Sequence, residues 1–165
     1  MLIPLWGSVF VEGWNWDWRG FAVVAAFVFI AALAYQALAR TMSNRAYRIA
    51  AGLAVLTTFV LIWTNFVLAV DVNTANFLFF GVVPVGVVGA AIARLQARGM
   101  ALALCGMTIA QLLVPVVALM FWKTGVALGA VPVIGLNGVY TALFAMSALL
   151  FRHAARTHEM PTRLE

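Results

Sequence analysis

His153 and His158 are the only two imidazoles in this 165-residue chain, and a spacing of five residues puts them on different faces of a helix. Two ligands on one helical face need a spacing of three or four, so the pair reads as part of a solvated basic segment and not as a metal site. Neither lies in an apolar stretch, so a haem held inside a membrane bundle would find no axial histidine. Cys105 is the only cysteine, which rules out a disulfide within the chain. With no histidine or acid at its depth to form a thiolate, it reads as a small packing residue. Ser147 likewise lacks a base. No Lys, Asp or Glu interrupts the long apolar stretches, which excludes retinal Schiff-base chemistry and carboxylate-driven proton pumping. The chain is expected to be non-enzymatic, with no cofactor and no metal. An enzyme acting on lipid or quinone would have to borrow its acid or base from Asp71.

What the apolar stretches do hold is a set of neutral polar side chains. With helix centres near residues 59, 111 and 141 and a rise of about 1.5 Å per residue, Thr57, Thr58, Gln111, Tyr140 and Thr141 fall near the midplane of a bilayer. Asn65 and Asn137 fall roughly 6 to 9 Å to one side on the same rise. An amide in hydrocarbon costs free energy unless it finds a partner, so these groups should face inward and toward one another. Two readings follow: a small polar pocket for a neutral solute, or hydrogen bonds that hold helices together at around 0.6 kcal/mol per pair. A second polar group, Asp71, Asn73, Thr74 and Asn76, crowds a loop. Helix capping by Asn73, Thr74 or Asn76 accounts for most of it, and solute recognition is the alternative.

The elements that would position these residues follow from composition. The chain is 65% hydrophobic and 9% charged, against about 25% charge in an ordinary soluble domain. So much apolar surface cannot be hidden in one water-soluble core of this size. The sequence predicts an all-α membrane protein: a single integral membrane domain, 1–165, forming a five-transmembrane-helix bundle. The spans are placed at about 21–39, 49–70, 77–93, 100–121 and 132–151. Residues 125–131 are expected to form a loop or re-entrant turn. In the third span Gly81, Gly86, Gly89 and Ala90 give small faces for close packing, and Pro84 is expected to open the ladder near mid-span. Pro115 does the same in the fourth span, adding freed carbonyls beside Gln111. Ahead of the first span, Leu2, Leu5, Trp6, Val9 and Phe10 recur at helical spacing in a segment too short to cross, which predicts a short N-terminal interfacial helix. No Lys or Arg precedes it and no small-residue cleavage site follows, which argues against a secretory signal.

Charge placement gives an orientation. Arg40, Arg45, Arg48, Arg94, Arg98, Arg152, Arg156 and Arg163 fall on one side and only Arg19 and Lys123 on the other. Cationic loops stay in the cytoplasm, so the N-terminus is expected outside and the C-terminus inside, N-out/C-in. Trp14, Trp16, Trp18 and Trp122 at the outer boundary, with Tyr35 and Tyr47 at the inner, fit an aromatic belt. The net charge of +5 is therefore an insertion signal. It implies anionic lipid headgroups as partner, and no nucleic acid.

The stretches Asn73-Thr74-Ala75-Asn76, Phe80-Gly81-Val82, Ala93-Arg94, Gly99-Met100-Ala101, Gly135-Leu136-Asn137-Gly138 and Leu150-Phe151-Arg152 resemble a group of small bacterial multi-span membrane proteins with no known activity. Thr74 stands where that group carries proline. The resemblance covers most of the chain from the second helix onward and implies a bacterial inner membrane, with no substrate or cofactor. The leading functional expectation is a helical bundle acting as an accessory, scaffold or binding subunit, with a membrane-protein partner or further copies of itself. The alternative is a small permease or solute-binding protein for a neutral molecule.

Overall fold

The computed structural model describes residues 18–41, 44–68, 81–121 and 130–159. Among them the chain is all helix: α1 (Trp18–Thr41), α2 (Arg45–Leu68), α3 (Val82–Ile92), α4 (Ala97–Phe121) and α5 (Ala130–Glu159). Four of these, all but α3, are long and apolar enough to cross a membrane. At 11 residues, α3 spans about 16 Å as described, roughly half the ~30 Å hydrocarbon layer. The start of the expected third span, residues 77–80, lies outside the described residues. So do the expected interfacial helix and the loop bearing Asp71, Asn73, Thr74 and Asn76.

The start of α2 and the turn between α3 and α4 have local causes. Asn44 opens α2, its Oδ1 accepting the Ala46 N–H at 2.8 Å in the manner of an N-cap. Between α3 and α4 the chain reverses over Ala93–Gln96, where Arg94 (φ 47°) and Leu95 (φ 59°) adopt left-handed backbone. The Leu95 N–H reaches back to the Ala90 carbonyl at 3.3 Å, closing the end of α3. Within α3 as described, Pro84 stands in the first turn, where no intrahelical N–H is required of it. At the other end of the chain, α5 does not stop at Phe151 as its hydropathy suggests. It runs on to Glu159, with Ala154 and Ala155 buried and Arg152, His153 and Arg156 exposed on its other face.

The core is made by α2, α4 and α5, with α5 packed against both others, α3 lying on α4 and α1 lying on α2. Buried positions recur at alternating steps of three and four: Tyr47, Ala50, Ala54, Thr57, Leu61 on α2; Ala97, Met100, Leu104, Met107, Gln111, Val114 on α4; Asn137, Tyr140, Phe144, Ser147, Phe151, Ala154 on α5. That repeat is the seam of coiled-coil-like packing. Outside the seam, large apolar side chains such as Phe29, Ile92, Leu102 and Leu149 are more than half exposed. Apolar groups outward and polar groups inward is the pattern a bilayer selects, because lipid offers apolar surfaces no gain on burial while unpaired polar groups cost several kcal/mol. Helices then associate by close contact. A Cβ on Gly89 would lie 2.6 Å from the Ala103 Cβ, one on Gly99 would lie 2.5 Å from the Ala93 Cβ, and one on Gly86 would strike the Met107 sulfur.

One end of this bundle is cationic. The Tyr47 hydroxyl on α2 donates to the Leu95 carbonyl in the α3–α4 turn at 2.6 Å, and its ring meets Phe151 of α5 edge-on at 5.0 Å. Asn44 Nδ2 donates to Thr157 Oγ1 of α5 at 2.9 Å. These contacts gather the start of α2, the α3–α4 turn and the end of α5, and with them the end of α1. Arg40, Arg45, Arg48, Arg94, Arg98, Arg152 and Arg156 therefore share one end of the molecule, all exposed.

Candidate functional site

The polar side chains inside the bundle begin with a proline. Pro115 has no N–H to give the carbonyl four residues before it, and that carbonyl belongs to Gln111. Asn137 on α5 supplies the missing donor: its Nδ2 bonds the Gln111 main-chain oxygen at 3.0 Å. The same side chain uses its Oδ1 to accept from Gln111 Nε2 at 2.7 Å. One asparagine thus closes the proline break and clasps α5 to α4 at two points. Both side chains are buried, Gln111 at 0% exposure and Asn137 at 4%.

One turn along the same face of α5, the Tyr140 hydroxyl donates to Thr64 Oγ1 on α2 at 2.7 Å. Two turns further, Ser147 Oγ donates to the Ala50 carbonyl at 2.8 Å. The seam of α5 therefore carries polar bonds first to α4, at Asn137, and then twice to α2, at Tyr140 and Ser147, with Phe144 and Phe151 between and beyond them.

The remaining candidates turn back on their own helices. Thr57 Oγ1 bonds the Leu53 carbonyl at 2.7 Å and Thr58 Oγ1 the Ala54 carbonyl at 2.9 Å. Asn65 Nδ2 bonds the Leu61 carbonyl at 2.8 Å, and Thr141 Oγ1 the Asn137 carbonyl at 2.9 Å. Such back-bonding satisfies a donor locally, within the same helix. Of the seven residues in the expected cluster, Gln111 and Asn137 meet each other, Tyr140 finds a partner outside it, and Thr57, Thr58, Asn65 and Thr141 donate to their own helices. The loop candidates Asp71, Asn73 and Asn76 lie outside the described residues.

Thr64, Ser147 and Tyr47 complete the polar fabric. Thr64 and Ser147 sit on the three-four repeat that marks the seams, and that spacing is the signal that could have identified them. The Leu95 carbonyl has no such signal, since it is exposed to Tyr47 only by the left-handed turn.

Gln111 Oε1 is the one buried side-chain nitrogen or oxygen with no hydrogen-bond partner among the described residues. Three surface grooves are otherwise apolar. One of about 610 Å³ lies between α3 and α4, one of about 410 Å³ between α1 and α2, and one of about 260 Å³ runs across α1 to α4. None is lined by Gln111, Asn137 or Asn65. Thr58, in the last of them, is the one cluster member that lines any of these three. Among the described residues no three of His, Cys, Asp and Glu come together, and Cys105 is half-buried in α4. Comparison of the chain with protein-family models, curated proteins and solved structures gave no match.

Proposed function

We propose that this chain is a non-enzymatic helical bundle of the bacterial inner membrane, N-out/C-in, working as an accessory or scaffold subunit through its packing surfaces. The carrying observation is the Gln111–Asn137 clasp: the most polar pair in the bundle interior is engaged in closing a proline break and joining two helices. Further support comes from α1, whose most apolar stretch has no buried residue and whose packing is against α2. A helix so little embedded in its own bundle presents apolar surface widely. The orientation rests on the seven arginines at one end, which cationic retention assigns to the cytoplasm. Purification under mild solubilising conditions tests the role. A co-purifying membrane protein or a defined multimer is expected, and a strictly monomeric, partner-free chain would overturn it.

A second reading, a permease or binding protein for a small neutral solute, is favoured by one atom. Gln111 Oε1 is a buried acceptor to which a solute hydroxyl or amide could donate. Liposome uptake with Gln111→Leu and Asn137→Leu variants tests it, and unchanged flux in both removes it.

A further inference from the structure

The α1–α2 groove has a chemistry that the scaffold reading does not use. It is lined by Val28, Ala31 and Tyr35 from α1 and by Gly52, Val55, Leu56 and Phe59 from α2, and encloses about 410 Å³. Gly52 leaves its wall low: the Tyr35 ring lies 3.5 Å from where a Cβ would stand, ordinary contact distance, so only a side chain longer than alanine would reach into the space. Along each helix the lining spans eight residues, a rise of about 10 Å, which is a depth contained within one leaflet. Tyr35 and Gly52 mark its end nearest the arginines, and Val28 and Phe59 its inner end.

Arg48 continues the same stripe of α2. Gly52, Val55, Leu56 and Phe59 follow it at i+4, i+7, i+8 and i+11, the spacing of a single helical face. The guanidinium-bearing residue is therefore in line with the groove, one turn or about 6 Å beyond Gly52, at the cationic end that Arg48 shares with Arg40, Arg45, Arg94, Arg98, Arg152 and Arg156. An apolar trough one leaflet deep, with a tyrosine at its mouth and an arginine one turn outside, has two chemistries at fixed separation. Hydrocarbon alone satisfies the first and leaves the second idle; a soluble anion does the reverse.

We infer that the α1–α2 groove is a binding site for an anionic phospholipid, with one acyl chain along Val28, Val55 and Phe59 and the phosphate held by Arg48 beside Tyr35. Arginine suits this task because its planar fork bonds two phosphate oxygens at once. The inference is independent of the scaffold reading, since it concerns a lipid on the outer side of α2 and no protein contact.

The test is native mass spectrometry of the full-length chain in mild detergent, titrated with palmitoyl-oleoyl phosphatidylglycerol or the matched phosphatidylcholine. The parent chain should retain phosphatidylglycerol preferentially. Arg48→Gln should weaken that binding about five- to tenfold, the scale of one charge-assisted phosphate contact, while Arg48→Lys restores part of it. Gly52→Leu and Val28→Trp fill the groove from opposite walls and should each reduce binding. Val28 is at the exposed rim, so that variant leaves the bundle's packing alone. Arg152→Gln, on α5 at the same end, should bind as the parent does. Equal retention of the two lipids, loss in Arg152→Gln equal to that in Arg48→Gln, or full binding in a folded groove-filling variant would each overturn the assignment.

Discussion

Replacing Asn137 with alanine tests the clasp most sharply, because a single side chain serves two partners there. The substitution removes the bonds at 2.7 and 3.0 Å and strands Gln111 Nε2 and the Gln111 main-chain carbonyl beside an Oε1 that already lacks a partner. Two interhelical bonds in a membrane bundle contribute roughly 1 to 3 kcal/mol together, taking about 0.6 to 1.7 each. The decisive observation comes from a second substitution. Pro115→Ala restores an N–H to α4, and that N–H takes the Gln111 carbonyl, so Asn137 Nδ2 loses its role. In the Pro115→Ala background the cost of Asn137→Ala should shrink by about 0.5 to 1.5 kcal/mol, the worth of one hydrogen bond. The assay is reversible unfolding of the four chains in mixed micelles, followed by helical circular dichroism. An additive cycle, with coupling within about 0.3 kcal/mol of zero, would refute the claim that Asn137 substitutes for the donor that Pro115 lacks.

Other perturbations follow from the same contacts. Gly89→Ala should destabilise by about 1 to 3 kcal/mol and more than Gly86→Ala, because its Cβ meets the Ala103 Cβ and, at 3.1 Å, the backbone, whereas Gly86 faces the flexible end of Met107. Melting temperatures in the reverse order would contradict the α3–α4 geometry. Arg94→Gly should stabilise by about 1 kcal/mol, since an exposed residue held at φ 47° gains by losing its Cβ; a lower melting temperature would count against the left-handed turn. Tyr47→Phe keeps the ring against Phe151 and removes only the bond to the Leu95 carbonyl, an expected loss of about 1 kcal/mol in the same unfolding assay.

Hydropathy located the long helices because apolar length is what a bilayer demands, and charge placement foretold which ends would meet. The inward faces were harder to see. In α2, α4 and α5 both the seam and the lipid-facing side are apolar, so little contrast around the helix marks one from the other. For the same reason hydropathy, which falls at Phe151, predicts an end to α5 there. The three-four repeat of Phe151, Ala154 and Ala155 carries the helix onward regardless of the arginines beside them. Gln111 and Asn137 were legible as inward-facing amides, and their meeting follows from the cost of leaving either unpaired. Nothing local reveals that Thr57, Thr58 and Thr141 bond their own helices, because a hydroxyl is satisfied equally well by either partner. The role of Asn137 at Pro115 joins positions 22 residues apart and needs the packing of α4 on α5 to be seen.

The central claim, that this bundle works by contact with another chain, is tested most directly by cross-linking in the native membrane. With Cys105→Ala as background, single cysteines at the exposed positions Phe29, Leu33, Ile92 and Leu102 sample the outward faces of α1, α3 and α4. The account predicts that at least one of them is captured in a species heavier than the 17.8 kDa chain, at a fixed and saturable yield. A chain that stays at 17.8 kDa from every position, with cysteines shown to be reactive, would contradict it.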